Sequence, residues 1–209
     1  MQVKLPITVP KDYDAFLLRT AIYYIKYFLL EFTYKHRYHS FNEITNKGEK
    51  SMNIREIEPK DNPVIEAIIK NSLESVGLNI EGTAYFDPHL GKLSEFYNQL
   101  SHSKYWVAEI DNKVVGGIGI AVFDEGKEIC ELQKLYLSPE AQGKGCAIKL
   151  METAINFAEK HYQYCYLETR HDLKAASSLY KKFEFDLLQE PLNGSEHSAM
   201  DAWYLKKLK

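Results

Sequence analysis

One short segment of the chain has the composition of an anion-binding loop. Residues at positions 143, 145 and 147 are small, so the main chain can approach a ligand closely. Apolar periodicity predicts a helix from Gly145 to His161, and the first amides of a helix have no partner within it. Such amides suit a pyrophosphate, although the same residues would also make an ordinary loop-to-helix turn. The residues of this segment are Gln142, Gly143, Lys144, Gly145, Cys146 and Ala147.

Other kinds of site fit the sequence less well. A dinucleotide-binding loop needs three glycines at a different spacing, and a P-loop needs Ser or Thr after its lysine. The seven histidines have no helical ligand spacing, and Cys130, Cys146 and Cys165 are too far apart for a zinc site. The sequence therefore predicts no metal and no disulfide framework.

The segments around this loop alternate between strand and helix periodicity from residue 52 onward. A strand, a helix and a second strand in succession require one parallel strand pair, whereas a hairpin turning at Asp111-Asn112 supplies antiparallel strands. The fold class predicted is therefore α/β, or mixed α+β, with helices on both faces of a mixed sheet. The predicted helices are Pro63 to Val76, Leu90 to Leu100, Gly145 to His161 and Leu173 to Phe183, and the predicted strands after the one near residue 52 are Tyr105 to Ile110, Lys113 to Phe123, Ile129 to Leu137 and Tyr164 to Glu168.

The composition argues against binding of nucleic acid and against insertion into a membrane. A chain of 209 residues with a net charge of -3 and an isoelectric point near 6.2 lacks the general basic character of proteins that bind nucleic acid or anionic membranes. The apolar run Ala15 to Phe32 is interrupted by Arg19, Lys26 and Glu31, which disfavours a membrane span. We expect a cytoplasmic protein.

The chain divides at about residue 52. Residues 1–51 contain an aromatic helix followed by the polar linker Asn42 to Ser51, and residues 52–209 form the principal domain. Two interpretations of the extension remain open. It is either an upstream segment without chemistry or a docking helix, which would allow a homodimer.

The loop also resembles the signature of a known family. The spacing Gln142-x-x-Gly145-x-Ala147 is similar to the Gln/Arg-x-x-Gly-x-Gly/Ala motif of the Gcn5-related N-acetyltransferase (GNAT) superfamily, and the likeness covers roughly residues 53–206. Leu179-Tyr180 through Phe185 resembles the Leu-Tyr-x-x-x-Gly-Phe ending. This resemblance implies acetyl-CoA as co-substrate and a GNAT-like, mostly antiparallel twisted sheet of about six to seven strands. It also implies that the strand end Leu135, Tyr136 and Leu137 pairs with the pantetheine arm.

Two residues depart from the family pattern. Leu173 replaces an asparagine found in many members, so a contact to the pantetheine region is expected to be absent. Glu184 replaces a glycine and cannot adopt a positive φ without cost, which puts the local turn in doubt. Neither residue belongs to the phosphate-binding amides.

The resemblance also implies direct attack of an amine on the thioester. Glu131 lies where some members carry their catalytic glutamate and is the candidate general base, with a paired strand carboxylate or a substrate anchor as alternatives. Tyr180 matches the family tyrosine that contacts the cofactor and protonates the departing thiolate, or else it is a core residue. An amide near Leu135 or Tyr136, at a strand bulge, would bind the oxyanion.

The acceptor is expected to be a small-molecule amine resembling an amino acid or a polyamine. Tyr85, Asp87, Trp106 and Glu131 are the candidate acceptor residues, together with the late segment Gly194 to Met200, although these residues could equally form ordinary surface. Two alternatives remain open. One is acetylation of a protein terminus or lysine, and the other is a non-catalytic acyl-CoA sensor.

Overall fold

The computed structural model describes residues 51–195 and 197–209. The predicted extension lies outside these residues apart from Ser51, so the predicted division of the chain stays a prediction. The strands are β1 Met52–Glu56, β2 Lys104–Ile110, β3 Lys113–Asp124, β4 Ile129–Leu137, β5 Tyr164–Thr169, β6 Asp186–Leu187 and β7 Ala202–Lys207, and the α-helices are α1 Asn62–Ser75, α2 Leu93–Gln99, α3 Cys146–His161 and α4 Lys174–Lys182.

The described strands form one mixed sheet of seven strands in the order β1-β2-β3-β4-β5-β7-β6. Strands β4 and β5 pair in parallel, and every other neighbouring pair is antiparallel. Helix α3 connects the parallel pair, as a crossover connection requires. The predicted fold class, with its mostly antiparallel mixed sheet, is confirmed.

Alternating side chains divide the core into two layers, one on each face of the sheet. On one face α1 and α2 contribute fully buried residues such as Ile65, Ile69 and Leu93. On the other face α3 contributes Leu150 and Met151, which are also fully buried. Apolar residues at helical spacing on each helix meet the apolar side of the strands, which places helices on both faces as predicted.

Local sequence explains most of the element boundaries. The β2-β3 hairpin turns at Asp111 and Asn112, with φ of 52° and 62°, as expected for a two-residue turn that requires positive φ at both positions. The predicted helix Leu90 to Leu100 is divided instead. Its first three residues form a 3₁₀ turn, Lys92 leaves the helical region with φ -142°, and α2 begins at Leu93.

The turn after α4 retains a left-handed residue. Glu184 has φ 60°, and its amide bonds to the Lys181 carbonyl at 3.0 Å. The local geometry therefore remains without the glycine, at a conformational cost to Glu184. Leu173, the second departure, is the N-cap residue of α4 and packs against the core layer of α1 and α2.

Among residues 51–195 and 197–209, we find no helix with the length and apolar character needed to cross a membrane.

Candidate functional site

Strands β4 and β5 separate in the middle of the sheet. Their parallel ladder covers only three pairs and ends at Glu131 opposite Tyr166, although β4 continues to Leu137 and β5 to Thr169. Beyond Glu131 the edge of β4 that faces β5 makes no ladder contacts with it. This gap exposes main-chain donors and acceptors of β4, including those of the predicted pantetheine-binding residues Leu135, Tyr136 and Leu137, to an extended ligand.

A bulge in β4 lies beside this gap. Gly117 pairs with Tyr136 while Gly119 pairs with Gln133, so two residues of β4 oppose a single residue of β3. Lys134 lies in the bulge with φ 52°, and its carbonyl accepts a hydrogen bond from the Tyr105 hydroxyl at 3.0 Å. The bulge expected near Leu135 is therefore present, and it redirects the main chain next to the gap.

The loop at the end of β4 has the backbone shape of an anion-binding turn. Gly143 and Gly145 have φ of 73° and 82°, a region that glycine enters without a steric penalty. The first hydrogen bond of α3 joins the Lys149 amide to the Gly145 carbonyl at 3.1 Å, so the amides of Cys146 and Ala147 precede the helical ladder. A diphosphate matches such a set of main-chain donors.

The side chains of the loop divide into two groups. Gln142 and Lys144 are exposed, whereas the Cys146 thiol is fully buried in the core layer of α3. Burial also raises the pKa of the Cys146 thiol. Cys146 can therefore offer a ligand its amide, and it is not a candidate nucleophile.

Glu131 is held by a chain of two hydrogen bonds. The Tyr97 hydroxyl donates to Gln133 Oε1 at 2.8 Å, and Gln133 Nε2 donates to Glu131 Oε2 at 2.6 Å. Gly119 makes room for this chain, because a Cβ there would collide with the Tyr97 ring. Burial raises the pKa of Glu131, although the Gln133 amide opposes the change. Glu131 thus combines a fixed orientation with increased basicity, as a general base requires.

Tyr180 is buried on the opposite face of the sheet from Glu131. It contacts the rings of Phe185 and Tyr204, at centroid distances of 6.1 and 5.7 Å. Burial raises its pKa well above the ordinary value, so its hydroxyl stays protonated and remains a donor. Both interpretations of Tyr180, the cofactor contact and the core residue, are compatible with this position.

A cluster of charged side chains surrounds Glu131 on its own face of the sheet. Lys134 Nζ lies 2.6 Å from Asp87 Oδ2, and the His197 ring lies between Asp87 and Glu168, with its Nε2 3.6 Å from Asp87 and its Nδ1 3.7 Å from Glu168. Asp87 and then Glu168 raise the pKa of His197 to about 10. Although burial opposes its ionisation, His197 and Lys134 lower the pKa of Asp87 to about 2. Asp87 and His197 are therefore both charged at neutral pH. We refer to Asp87, Glu131, Lys134, Glu168 and His197 together as the acidic cluster.

The structure brings some predicted acceptor residues together and separates others. Asp87 lies in the acidic cluster with Glu131. Tyr85 lies apart from it, where its hydroxyl donates to exposed Glu74 at 2.7 Å. Trp106 is 5% exposed in the core layer of α3, with its ring 5.2 Å from that of Phe157. Because adjacent strand residues face opposite sides, Trp106 faces away from the acidic cluster, and its predicted acceptor role stays a prediction.

Two residues of the acidic cluster, Lys134 and Glu168, were missed as acceptor-site candidates in the sequence, whereas His197 falls within the predicted late segment Gly194 to Met200. Lys134 was seen only as part of β4, and Glu168 only as the end of a strand. Strand alternation could have placed Glu168 on the face of Tyr166, but no local pattern predicts the position of His197.

The same cluster contains a group able to hold a cation. Ligand atoms of Glu131, Glu168 and His197 all lie within 4.8 Å of one another. Two carboxylates and one imidazole are ligand types that suit zinc. The sequence predicted no metal here, and that prediction remains untested.

A surface cavity of about 330 Å³ lies elsewhere on the described part of the chain. Its lining includes Glu56, His102 and His161 but neither Glu131 nor Tyr180. We do not associate this cavity with the site at the gap.

Comparisons with known proteins agree with this architecture. The model of the family "Acetyltransferase (GNAT) family" matches residues 77–185. The chain is 36% identical over 168 residues to the uncharacterized N-acetyltransferase YjgM of Escherichia coli, covering 79% of this chain and all of that protein.

Solved structures share the fold. A GNAT-family acetyltransferase from Staphylococcus aureus has a TM-score of 0.65 at 22% identity, covering 76% of this chain and all of that one. YncA of Salmonella typhimurium, a putative acetyltransferase solved with its cofactor acetyl-CoA, has a TM-score of 0.60 at 19% identity, covering 76% of this chain and 94% of that one. With its family motif, mixed sheet and gap between β4 and β5, the chain belongs to the GNAT acetyltransferase family and is an acetyl-CoA-dependent N-acetyltransferase.

Proposed function

We propose that the enzyme transfers the acetyl group of acetyl-CoA to a primary amine of a small molecule by direct attack in a ternary complex. The observation that carries the proposal is the position of Glu131. Its buried carboxylate lies on β4 at the residue where β4 and β5 separate, and the same strand leads into the anion-binding loop. The candidate base, the gap that would receive the thioester and the phosphate-binding amides thus follow one another along the chain from Glu131 to Ala147.

Main-chain groups would hold acetyl-CoA. The amides of Gly143, Gly145, Cys146 and Ala147 suit the diphosphate, whereas the Lys144 amide donates to the Ala141 carbonyl at 3.4 Å. The edge of Leu135 to Leu137 suits the amide groups of the pantetheine arm. Neither contact depends on side-chain charge. The replacement of asparagine by Leu173 therefore leaves the main part of this binding surface intact.

The proposed reaction consists of one acyl transfer and the proton transfers that accompany it. The acceptor ammonium gives one proton to Glu131, and the free amine nitrogen then forms a bond to the thioester carbonyl carbon. The amide at Leu135 or Tyr136, next to the bulge, stabilises the oxyanion. The C–S bond then breaks, and the thiolate receives a proton from the Tyr180 hydroxyl. The nitrogen, which still carries its second amine proton after the attack, passes that proton through water to the Tyr180 phenolate, and Glu131 releases the first proton to solvent, so each turnover releases one proton.

A small acceptor is favoured by what surrounds Glu131. His197, from the segment between β6 and β7, lies within 4.8 Å of Glu131 and Glu168, and Asp87 approaches from the segment before α2. Two segments that converge on Glu131 suit a small molecule, whereas a protein terminus or lysine would need an open groove.

The test measures thiol release from acetyl-CoA over a panel of small amines, amino acids and peptides, with mass spectrometry of each product. We expect turnover with small primary amines and a mass increase of one acetyl group. Turnover only on peptides would support a protein acetyltransferase. Acetyl-CoA binding in calorimetry without turnover on any amine would support a sensor.

The cellular location and oligomeric state were also predicted from the sequence. A cytoplasmic enzyme is consistent with three buried free cysteines. The homodimer depends on residues 1–51, so comparing the solution masses of the full chain and residues 52–209 tests it.

A further inference from the structure

Two carboxylates face each other across the gap between β4 and β5. Glu131 ends the β4-β5 ladder, and Glu168 lies two residues beyond its ladder partner Tyr166 on the same face of β5. Ligand atoms of these two glutamates and of His197 lie within 4.8 Å of one another. The pair therefore borders the position from which an acceptor would approach the thioester.

Glu168 has an unused hydrogen-bonding position. Its side chain is 2% exposed, and its Oε1 accepts a hydrogen bond from the Tyr166 hydroxyl at 2.9 Å. Its buried Oε2 has no hydrogen-bond partner among the described residues, and the His197 nitrogen at 3.7 Å is too far for one. Burial opposes ionisation of Glu168, but His197, Ser195 and Tyr166 lower its pKa overall. The buried Oε2 thus lacks a hydrogen bond of normal length among the described residues, which is unfavourable unless a ligand supplies one.

The acidic cluster contains more acidic than basic side chains. Asp87, Glu131 and Glu168 are acidic, whereas Lys134 and His197 are basic, and Lys134 is committed to Asp87 at 2.6 Å. Glu131 and Glu168 therefore share one imidazolium when both are ionised. The cluster can accept one further positive charge and would repel a negative one.

We infer that Glu168 and Glu131 together form an ammonium subsite, and that the acceptor is a primary amine whose reacting nitrogen is not adjacent to a carboxylate. This inference rests on the proposed function, because the bound ammonium is the group that Glu131 deprotonates. Glu168 Oε2 accepts an N–H of the acceptor and holds the nitrogen beside the base. A carboxylate on the adjacent carbon would enter a region that already has excess negative charge.

The experiment uses pairs of acceptors that differ only in that carboxylate. Isoamylamine is compared with leucine, and phenethylamine with phenylalanine, in the full-length enzyme. We expect kcat/KM to be at least about tenfold higher for each amine than for its amino acid. Equal values, or a preference for the amino acids, would overturn the inference.

A variant tests the role of Glu168 itself. Glu168→Gln keeps the shape but removes the charge, and it should raise the KM for both amines about tenfold while leaving the KM for acetyl-CoA unchanged. Glu152→Gln, an exposed change on α3, is the matched control and should change neither value. An unchanged KM for the amines in Glu168→Gln would refute the subsite.

Two further measurements distinguish a failure of the ammonium subsite from a failure of the proposed function. If no amine turns over, calorimetric binding of phenethylamine to the enzyme with CoA still compares wild type and Glu168→Gln, and equal affinities refute the subsite independently of catalysis. Should Glu168→Gln fail to bind acetyl-CoA, Glu168→Asp replaces it, with the same expected loss of amine affinity. All assays are repeated with EDTA, because loss of amine binding there would assign Glu131, Glu168 and His197 to a metal instead.

Discussion

The anion-binding loop and the acidic cluster are the two halves of the proposed site, and they are built on different principles. The loop consists of consecutive residues, exposes the side chains of Gln142 and Lys144, and offers main-chain amides at the start of α3. The acidic cluster brings together side chains from four separate parts of the chain, with Glu131 9% and Lys134 8% exposed. In the proposed function, recognition of the co-substrate would thus depend on backbone conformation, whereas recognition of the acceptor would depend on buried charge.

This difference predicts how each half responds to substitution. Main-chain donors survive most side-chain changes, provided that the required φ angles remain accessible. Buried charges are sensitive to removal of a single partner, because the remaining charge is left without compensation. Substitutions in the acidic cluster should therefore affect the chemical step and acceptor binding, whereas substitutions in the loop should affect acetyl-CoA binding.

The largest effect is expected at Glu131. Glu131→Gln should lower kcat by about 10² to 10⁴, because the amine loses its base. In the wild type, a base must be ionised and burial raises the pKa of Glu131, so activity should fall as pH decreases through a value above the ordinary 4.3 or so. This acid limb should be absent from the kcat/KM profile of the variant. A rate within about threefold of wild type across pH would exclude the base role.

Tyr180→Phe should give the next largest effect. It removes one hydroxyl from a buried ring and should lower kcat by about 10² through loss of the donor to the thiolate, while acetyl-CoA affinity stays nearly constant. Tyr204→Phe, on a neighbouring buried ring, is the control and should retain kcat. Unchanged kcat in Tyr180→Phe would mean that Tyr180 only packs the core.

Gly145→Ala tests the loop. Gly145 has φ 82°, and a side chain there costs about 1 to 2 kcal/mol in the left-handed region. Relief of that strain would turn the amides away, so the Kd for acetyl-CoA should rise about tenfold in calorimetry while the amine KM remains constant. Gly126→Ala serves as the control because Gly126 lies in the exposed β3-β4 turn. A rise in the amine KM without a change in the Kd for acetyl-CoA would contradict the assignment of acetyl-CoA binding to the loop.

The smallest effect concerns stability. Glu184 adopts φ 60°, so Glu184→Gly should raise the free energy of unfolding by about 1 kcal/mol, even though the exposed ion pair with Lys206 is lost. Denaturant titration measures the change. Glu184→Ala also removes the ion pair but keeps the strain, so it should not stabilise the protein. Equal stability of the two variants would show that the turn is unstrained.

Local patterns in the sequence predicted most of the fold. The Asp111-Asn112 turn, the strand from Ile129 to Leu137 and the helix after Gly145 depend on neighbouring residues, and all three are present. The division of the segment Leu90 to Leu100 was missed, because it depends on a single backbone change at Lys92. The family motif also predicted the loop, since its chemistry lies in contiguous main chain.

The residues of the proposed acceptor site come together only through the tertiary structure. Trp106 and its neighbour Tyr105 look alike in the sequence, and only the pairing of the sheet determines which of them shares a face with Glu131. Glu168 and His197 gain their importance from a distance of 3.7 Å that joins residues far apart in the chain. Sequence by itself determined where the backbone turns and offers its amides, because those properties are local. The folded chain determined which charges are buried together, because burial and pairing depend on every layer of the protein.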